Sequence, residues 1–319
     1  MKYVLEQGNS KKLPQLEIHW ETILMCQYKC SYCYARCRND WLQLPKKGVF
    51  LKVLNALSKS HLPTHLGLLG GEPTLHPNYM DILYHWNELC GVNNQNKVKN
   101  TLYTSTNGFK DINWFKKLPS YANMSFLWSF HPRYADNNDL ENKIKLMLDK
   151  GYSCAINLMM VPSKEYRKKI ENMYSRCNRL QIKIDPTFIH INDEKSEEGR
   201  VIFPYSNEFW KWFKDNFKSE YKNKYYIKLF ENNLHKEHFL TEDEIFENNY
   251  NNFKGYSCML NHYKINVDGT INLLCDENNK FNLLEDSDYF KRINKIKSFK
   301  CPLPACTCTE LLEIPKKII

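Results

Sequence analysis

The chain has 319 residues, with 45 Lys+Arg against 36 Asp+Glu for a net charge of +9, and it is 42% hydrophobic and 25% charged. Such a composition excludes a disordered tail, a collagen and a small disulfide-stapled scaffold, and the length suits one large domain or two smaller ones. No run approaches the roughly 18 apolar residues of a membrane span, and the N-terminus lacks a secretory apolar stretch, so a soluble cytoplasmic protein with no membrane partner is expected.

In chain order, strand-like segments rich in β-branched, Leu or aromatic residues fall at Leu16–Met25, His65–Leu69, Thr101–Thr106, Met124–Phe130, Cys154–Val161 and Gln181–Ile189. Helical periodicity lies between and after them, at Phe50–Ser60, Asn78–Cys90, Ile112–Leu118, Asn142–Lys150, Lys164–Arg179 and Asn207–Tyr221. Asp111 and Ser163 stand where N-caps would, and Gly151 follows a helix end. Six β-then-α units predict a parallel sheet, with sites at the C-terminal ends of its strands. The stretch from Glu231 to Phe253 reads as a poorly periodic connection. Beyond it, Tyr263–Leu274 alternates on both sides of Asp268-Gly269, predicting a β-hairpin with a type I′ turn.

The 12 cysteines are the strongest local signal, because disulfides are disfavoured in the cytosol and grouped thiols there bind metal or do redox chemistry. Cys26, Cys30, Cys33 and Cys37 form one group, and Cys258, Cys275, Cys301, Cys306 and Cys308 another. Cys90, Cys154 and Cys177 stand alone and read as small buried hydrophobes. Scattered Lys residues, often beside Asn, read as a solvated surface, so nucleic acid is disfavoured as a partner.

Cys26, Cys30 and Cys33 are spaced C-x3-C-x2-C at the end of the first strand. Three thiolates in one loop can hold three irons of a [4Fe–4S] cluster and leave the fourth open to a ligand. A zinc knuckle that recruits Cys37 is the alternative. One β–α unit later comes Gly70-Gly71-Glu72-Pro73, where two glycines permit close backbone approach and Glu72 offers a carboxylate to an ammonium group.

Together these segments resemble the radical S-adenosylmethionine (radical SAM) superfamily, defined by C-x3-C-x-aromatic-C followed by a Gly-Gly-Glu-Pro strand end. The resemblance implies that Cys26, Cys30 and Cys33 ligate the catalytic cluster and that Tyr32 lies against the adenine of the cofactor. It implies that Gly70, Gly71, Glu72 and Pro73 bind the methionyl amino group. It extends to Ser105 and Asn107 in Thr104-Ser105-Thr106-Asn107-Gly108, to Ser129 in Trp128-Ser129-Phe130-His131, where many relatives carry Asp in place of His131, and to Asn157. The implied fold is α/β, a partial (βα)6 TIM-type barrel with an N-terminal strand extension and a small C-terminal cysteine-rich β-hairpin domain. The implied activity is reductive cleavage of S-adenosylmethionine to a 5′-deoxyadenosyl radical that abstracts a substrate hydrogen, with a reductase or flavodoxin-type protein as electron donor.

The second cysteine group resembles the auxiliary-cluster extension called SPASM or, with one cluster, twitch. Residues 1–225 would then be the core, 226–255 a linker and 256–319 the auxiliary domain. Cys258, Cys275 and Cys301 would ligate a second [4Fe–4S] cluster, with Cys306 and Cys308 competing for the fourth place. The spacing departs from the family pattern after Gly269 and in the tail, and a structural zinc is the alternative.

A peptide is the expected substrate by analogy; with 25 residues before Cys26, no fused leader-recognition domain is expected, which counts mildly against a leader-dependent maturase or requires a separate partner. Radical oxidation or rearrangement of a sugar, amino acid or nucleoside is the second reading, and a tRNA- or DNA-modifying radical enzyme, supported only by charge, the third. A non-catalytic zinc-binding interaction protein is the rival from another class. Cys37 reads as a bystander thiol and His131 as either a proton-transfer residue or a hydrogen-bonded loop histidine. Asp185 and Asp276 are acid/base candidates by position only. Trp20, Trp86, Trp114, Trp128, Trp210 and Trp212 read as core.

Overall fold

Alternation of apolar and polar residues shapes the larger of two compact units, Pro14–Thr187 with His262–Lys295. The computed structural model describes residues 2–6, 15–33, 48–91, 100–192, 200–217, 224–231, 234–258, 261–273, 275–293, 298–302, 306 and 316–317. Cys37 and Cys308 lie outside the described residues, as does the end of the helix expected to reach Tyr221.

In this unit the strands are β1 (Leu16–Ile23), β2 (Thr64–Gly70), β3 (Thr101–Thr106), β4 (Met124–Phe130), β5 (Ser153–Met160) and β6 (Lys183–Phe188), followed by β7 (His262–Ile265), β8 (Thr270–Leu273) and β9 (Asp276–Asn282). They form one nine-stranded sheet in the order β9-β8-β7-β1-β2-β3-β4-β5-β6. Pairing is parallel from β7 through β1 to β5 and antiparallel across β7, β8 and β9. The chain is thus α/β, with a mostly parallel sheet of the partial TIM-barrel type.

Helices α1 (Val49–Ser58), α2 (Tyr79–Leu89), α3 (Ile112–Lys116), α4 (Asn137–Asp149) and α5 (Arg167–Arg179) occupy the crossovers. Every second strand residue, including Trp20, Leu66, Leu68, Phe126, Trp128 and Ile156, is buried with the apolar helix stripes. Phe115 of α3 meets the Trp128 ring at 5.3 Å. The intervening residues form the other face, which is more polar. Trp20, Trp86, Trp128 and Trp210 are buried as expected, whereas Trp114 and Trp212 are only half-buried.

Helix boundaries follow local capping. Asp111 accepts from Asn113 N and Trp114 N as expected, whereas Ser163 makes no side-chain cap bond. α4 begins at Asn137 rather than Asn142, because Asp136 accepts from Asp139 N and starts the helix earlier. The hairpin is present, but its turn differs. Gly269 alone has positive φ, at 84°, and Gly269 N donates to Asn266 O, with Asn266 N paired to Thr270 O. This is a type I turn closed by a left-handed glycine, the three-residue hairpin loop, instead of type I′. Asp268 takes the role of turn former, accepting from Thr270 N and Thr270 Oγ1.

The second unit comprises Met1–Leu13, Phe188–Asn261 and Ile296–Ile319. Its six-stranded sheet runs Leu234–Thr241, Lys224–Glu231, Lys2–Glu6, Lys316–Lys317, Ser257–Cys258, Phe299–Lys300. Its neighbouring strands pair antiparallel. The described residues of Glu231–Phe253 carry a strand of this sheet, Leu234–Thr241, and a helix, Glu242–Glu247, started by a Thr241–Glu244 capping box, in place of the expected poorly periodic connection. Phe188 and the helix Asn207–Asn216 supply its aromatic core, with Phe188 5.1 Å from the Trp210 ring. No helix among the described residues is long and apolar enough to cross a membrane.

Candidate functional site

The loop Met25–Cys33 leaves the C-terminal end of β1, and its base is held by the end of β2. Gly71 N donates to Ile23 O at 2.7 Å and Glu72 N to Met25 O at 2.8 Å. A Cβ on Gly70 or Gly71 would stand 2.0 Å from Ile23 O or Met25 O respectively, and Gly70 adopts φ +129°. The close approach that the two glycines permit is thus made to the cysteine loop's own backbone.

Glu72 is 1% exposed. Its Oε1 accepts from Thr74 N (3.2 Å), Thr74 Oγ1 (2.6 Å) and Thr106 Oγ1 (2.7 Å), and its Oε2 from Asn107 N (2.8 Å). Burial pushes the carboxyl above the usual carboxylate range, and these four donors pull in the opposite sense. An ammonium group could add only at Oε2, which already serves Asn107.

Asn107 connects this hub to the cysteines. Its Oδ1 accepts from Gln27 Nε2 at 2.8 Å and Phe109 N at 3.0 Å, and its Nδ2 lies 3.7 Å from Cys26 Sγ. Lys143 of α4, itself buried, donates from Nζ to Gly108 O at 2.8 Å and so pins the same turn.

The loop after β4 clasps the other side. The His131 ring lies parallel to Tyr32, with centroids 5.9 Å apart and planes at 16°. His131 Nδ1 is 3.0 Å from Tyr32 Oη and 3.5 Å from Cys30 Sγ. Tyr134 stacks on Tyr28 at 4.6 Å and donates from Oη to Lys29 O at 2.7 Å. Burial lowers the His131 imidazole to about 4, so it is neutral near pH 7.

Of the other residues expected from sequence, Ser105 and Ser129 approach at 3.4 Å between hydroxyls, and Asn157 sits beside Ser129 in the β4–β5 register. The strand ends bring Ser105, Ser129 and Asn157 into one row on the polar face. That face also carries the Lys264–Glu21 ion pair at 3.0 Å. Asp185 stands half-buried within β6, apart from any contact named above. Sequence reading missed Gln27, Tyr28, Tyr134 and Lys143, whose roles depend on contacts across the sheet; only the position of Thr106 beside Asn107 could have flagged a partner for Glu72.

Among the described residues, no three Cys, His, Asp or Glu side chains stand in ready metal-ligating geometry. The donor chemistry of the cysteine loop nevertheless fits a metal–sulfur centre. Cys26, Cys30 and Cys33 are near enough for each of the latter two to disfavour ionisation of Cys26. Burial pushes Cys26 up to about 12 and Cys30 to about 11, so neither is a reactive free thiolate near pH 7, and a bound cation would supply the charge that ionises them.

In the second unit, Cys258, Cys301 and Cys306 are all buried. Gly255 N donates to Cys301 O, Cys301 N to Tyr256 O and Cys306 N to Asn251 O, so residues 251–258 are the common scaffold. Burial raises the Cys258 thiol, partly offset by Lys316, its partner in register. Cys275 follows β8 in the larger unit. Cys90 and Cys177 are buried and Cys154 half-buried, each thiol raised by burial to about 11–12, as inert structural cysteines are.

No protein-family model and no curated protein matches the chain. Among solved structures, native anSMEcpe with bound AdoMet matches with a TM-score of 0.58 at 15% identity, over 88% of this chain and 81% of that one. Native anSMEcpe with bound AdoMet and Cp18Cys peptide matches with a TM-score of 0.56, at the same 15% identity and the same 88% and 81% coverage. The likeness is one of fold.

Proposed function

We propose that the chain is a radical SAM enzyme that abstracts a hydrogen atom from a peptide substrate in the course of modifying it. The observation that carries this reading is the Cys26–Cys33 loop: three thiols at the C-terminal end of a strand in a parallel sheet, seated on the Gly70–Pro73 backbone. Bound there, a [4Fe–4S] cluster would supply the electron that cleaves S-adenosylmethionine to methionine and a 5′-deoxyadenosyl radical, the hydrogen-abstracting species.

The chain's own contribution is placement. Cys26, Cys30 and Cys33 hold the cluster, and the half-exposed row of Ser105, Ser129 and Asn157 on the neighbouring strand ends offers hydroxyl and amide groups to the cofactor. The Gly70–Pro73 segment holds the cysteine loop at its base and would be the part of the chain that meets the methionyl group of a bound cofactor. The Tyr28–Tyr134 and Tyr32–His131 stacks brace the loop against the strand end that carries His131. A peptide substrate is supported by the fold shared with a structure that carries AdoMet and a peptide together. Cys258, Cys301 and Cys306 supply thiols to a second cluster, with a flavodoxin-type electron donor and a cytoplasmic setting.

The test is iron, sulfide and zinc content after anaerobic reconstitution, with 5′-deoxyadenosine release under dithionite, on the native chain and on Cys26/Cys30/Cys33→Ala. About eight irons falling to about four, with release abolished, is the expected result. About four falling to none would remove the second cluster alone. Zinc in both chains, without iron or release, would leave a metal-stabilised binding protein.

A further inference from the structure

Two strand ends each bring one polar side chain to one sulfur of the cysteine loop. Asn107, after β3, places Nδ2 3.7 Å from Cys26 Sγ. His131, after β4, places Nδ1 3.5 Å from Cys30 Sγ. Sulfur is large and its hydrogen bonds are correspondingly long.

The amide of Asn107 cannot turn over without loss. Its Oδ1 accepts from the Phe109 backbone N–H, which is a donor only, and from Gln27 Nε2. Its amino group must therefore face the sulfur. The backbone beneath it is fixed in turn by Glu72 and by Lys143 on Gly108 O. His131 is fixed by its stack on Tyr32 and by Tyr32 Oη at 3.0 Å. A thiolate holding a metal has no proton to give, so a polar hydrogen between His131 and Cys30 must come from the protein side. With the proton on Nδ1, its one hydrogen is shared between Tyr32 Oη at 3.0 Å and Cys30 Sγ at 3.5 Å, so Tyr32 accepts from the imidazole and its own hydroxyl hydrogen can be donated to the same sulfur, within whose reach it lies.

We propose that Asn107 and His131 donate hydrogen bonds to the Cys26 and Cys30 thiolates and thereby raise the reduction potential of the cluster those thiolates hold; this rests on the reading of the cysteine loop as a cluster site. Donors to thiolate stabilise the more negative, reduced state, and such contacts are a recognised lever on iron–sulfur potentials. His131 and Asn107 act as positioning and tuning residues through the sulfurs.

The experiment is an EPR-monitored redox titration of the full reconstituted chain, taking as the reporter the signal that added S-adenosylmethionine perturbs. His131→Phe keeps the stacked ring and removes the donor; Asn107→Leu keeps the shape and removes the amide. Each is expected to retain iron and to become about tenfold harder to reduce, ~59 mV lower for a one-electron couple. His131→Gln, which restores an N–H, is expected to recover part of the loss. An unchanged potential in the iron-loaded variants overturns the proposal, as does a raised one, which would mean that Tyr32 donates to His131 in the native chain. Should Asn107→Leu fold poorly, resonance Raman spectroscopy decides on His131 alone: the iron–cysteine stretching bands of the native chain shift in D2O, and His131→Phe reduces that shift. Identical bands in the two chains overturn the proposal. A native chain that takes up no iron instead refutes the cluster site itself, a result distinct from an unaltered potential.

Discussion

The carboxylate of Glu72 accepts the backbone N–H of Asn107 at 2.8 Å, tying the end of β2 to the end of β3 beneath the cysteine loop. A carboxylate can satisfy four donors from two strand ends, which an amide cannot. Glu72→Gln must aim its own N–H₂ at either the Asn107 or the Thr74 backbone N–H. One buried N–H is then left unpaired, at about 1–3 kcal/mol. Chemical denaturation should show a loss in this range, and reconstitution a lower iron content. Full native stability in the variant would mean that the group is not an ionised acceptor.

Gly71→Ala forces a Cβ to within 2.0 Å of the Met25 carbonyl, backbone against backbone. Neither strand end can shift without breaking the Gly71 N–Ile23 O or Glu72 N–Met25 O bond. The expected outcome is a loss of at least ~3 kcal/mol or failure to accumulate as soluble protein, comparable to a severe core substitution. A thermal unfolding midpoint equal to the native one would show that the loop base is not packed in this way.

His76 lies just past the Glu72–Thr74 turn and is buried; its Nδ1 accepts from Asn78 N at 3.0 Å and its Nε2 has no partner among the described residues. Burial depresses the imidazole from 6.5 to about 4. The folded-state value lies below the unfolded one, so the stability it confers is complete above pH 6.5 and is lost as pH falls toward 4. At 1.36 kcal/mol per unit the loss reaches about 3 kcal/mol. His76→Asn, which keeps an acceptor near Asn78, should flatten the pH dependence of urea unfolding between pH 6.5 and 4. A slope as steep as the native one would place the acid sensitivity elsewhere.

Lys143 is nearly fully buried in α4, with Nζ bonded to Gly108 O at 2.8 Å and Asp139 Oδ2 at 2.6 Å. Lys143→Met preserves the aliphatic stem beside Phe115 and strands the Gly108 carbonyl. A destabilisation of about 1–3 kcal/mol is expected, together with faster hydrogen exchange at Gly108 and Phe109, the turn that carries Asn107. Unchanged exchange there would show that the lysine stabilises α4 alone.

The β–α alternation was legible because strand and helix periods of 2 and 3.6 are local properties, and every expected strand from Leu16 to Ile189 has its counterpart in the sheet within a few residues. The cysteine loop was legible for the same reason: Cys26, Cys30 and Cys33 lie so close in sequence that any compact loop keeps them together. Partners decided by chain segments far apart were not legible. That Lys2–Glu6 pairs with Lys224–Glu231, that β7 docks in parallel on β1, and that Leu234–Thr241 forms a strand depend on which edges meet, and no local pattern encodes that. At the candidate site the residue types Gly70, Gly71, Glu72 and Asn107 were evident from sequence. Only the tertiary structure turns the glycines toward the loop's own backbone, spends the Glu72 carboxylate on four internal donors and aims Asn107 and His131 at sulfur, because a buried polar group is committed by whichever partners packing brings within 3–4 Å of it.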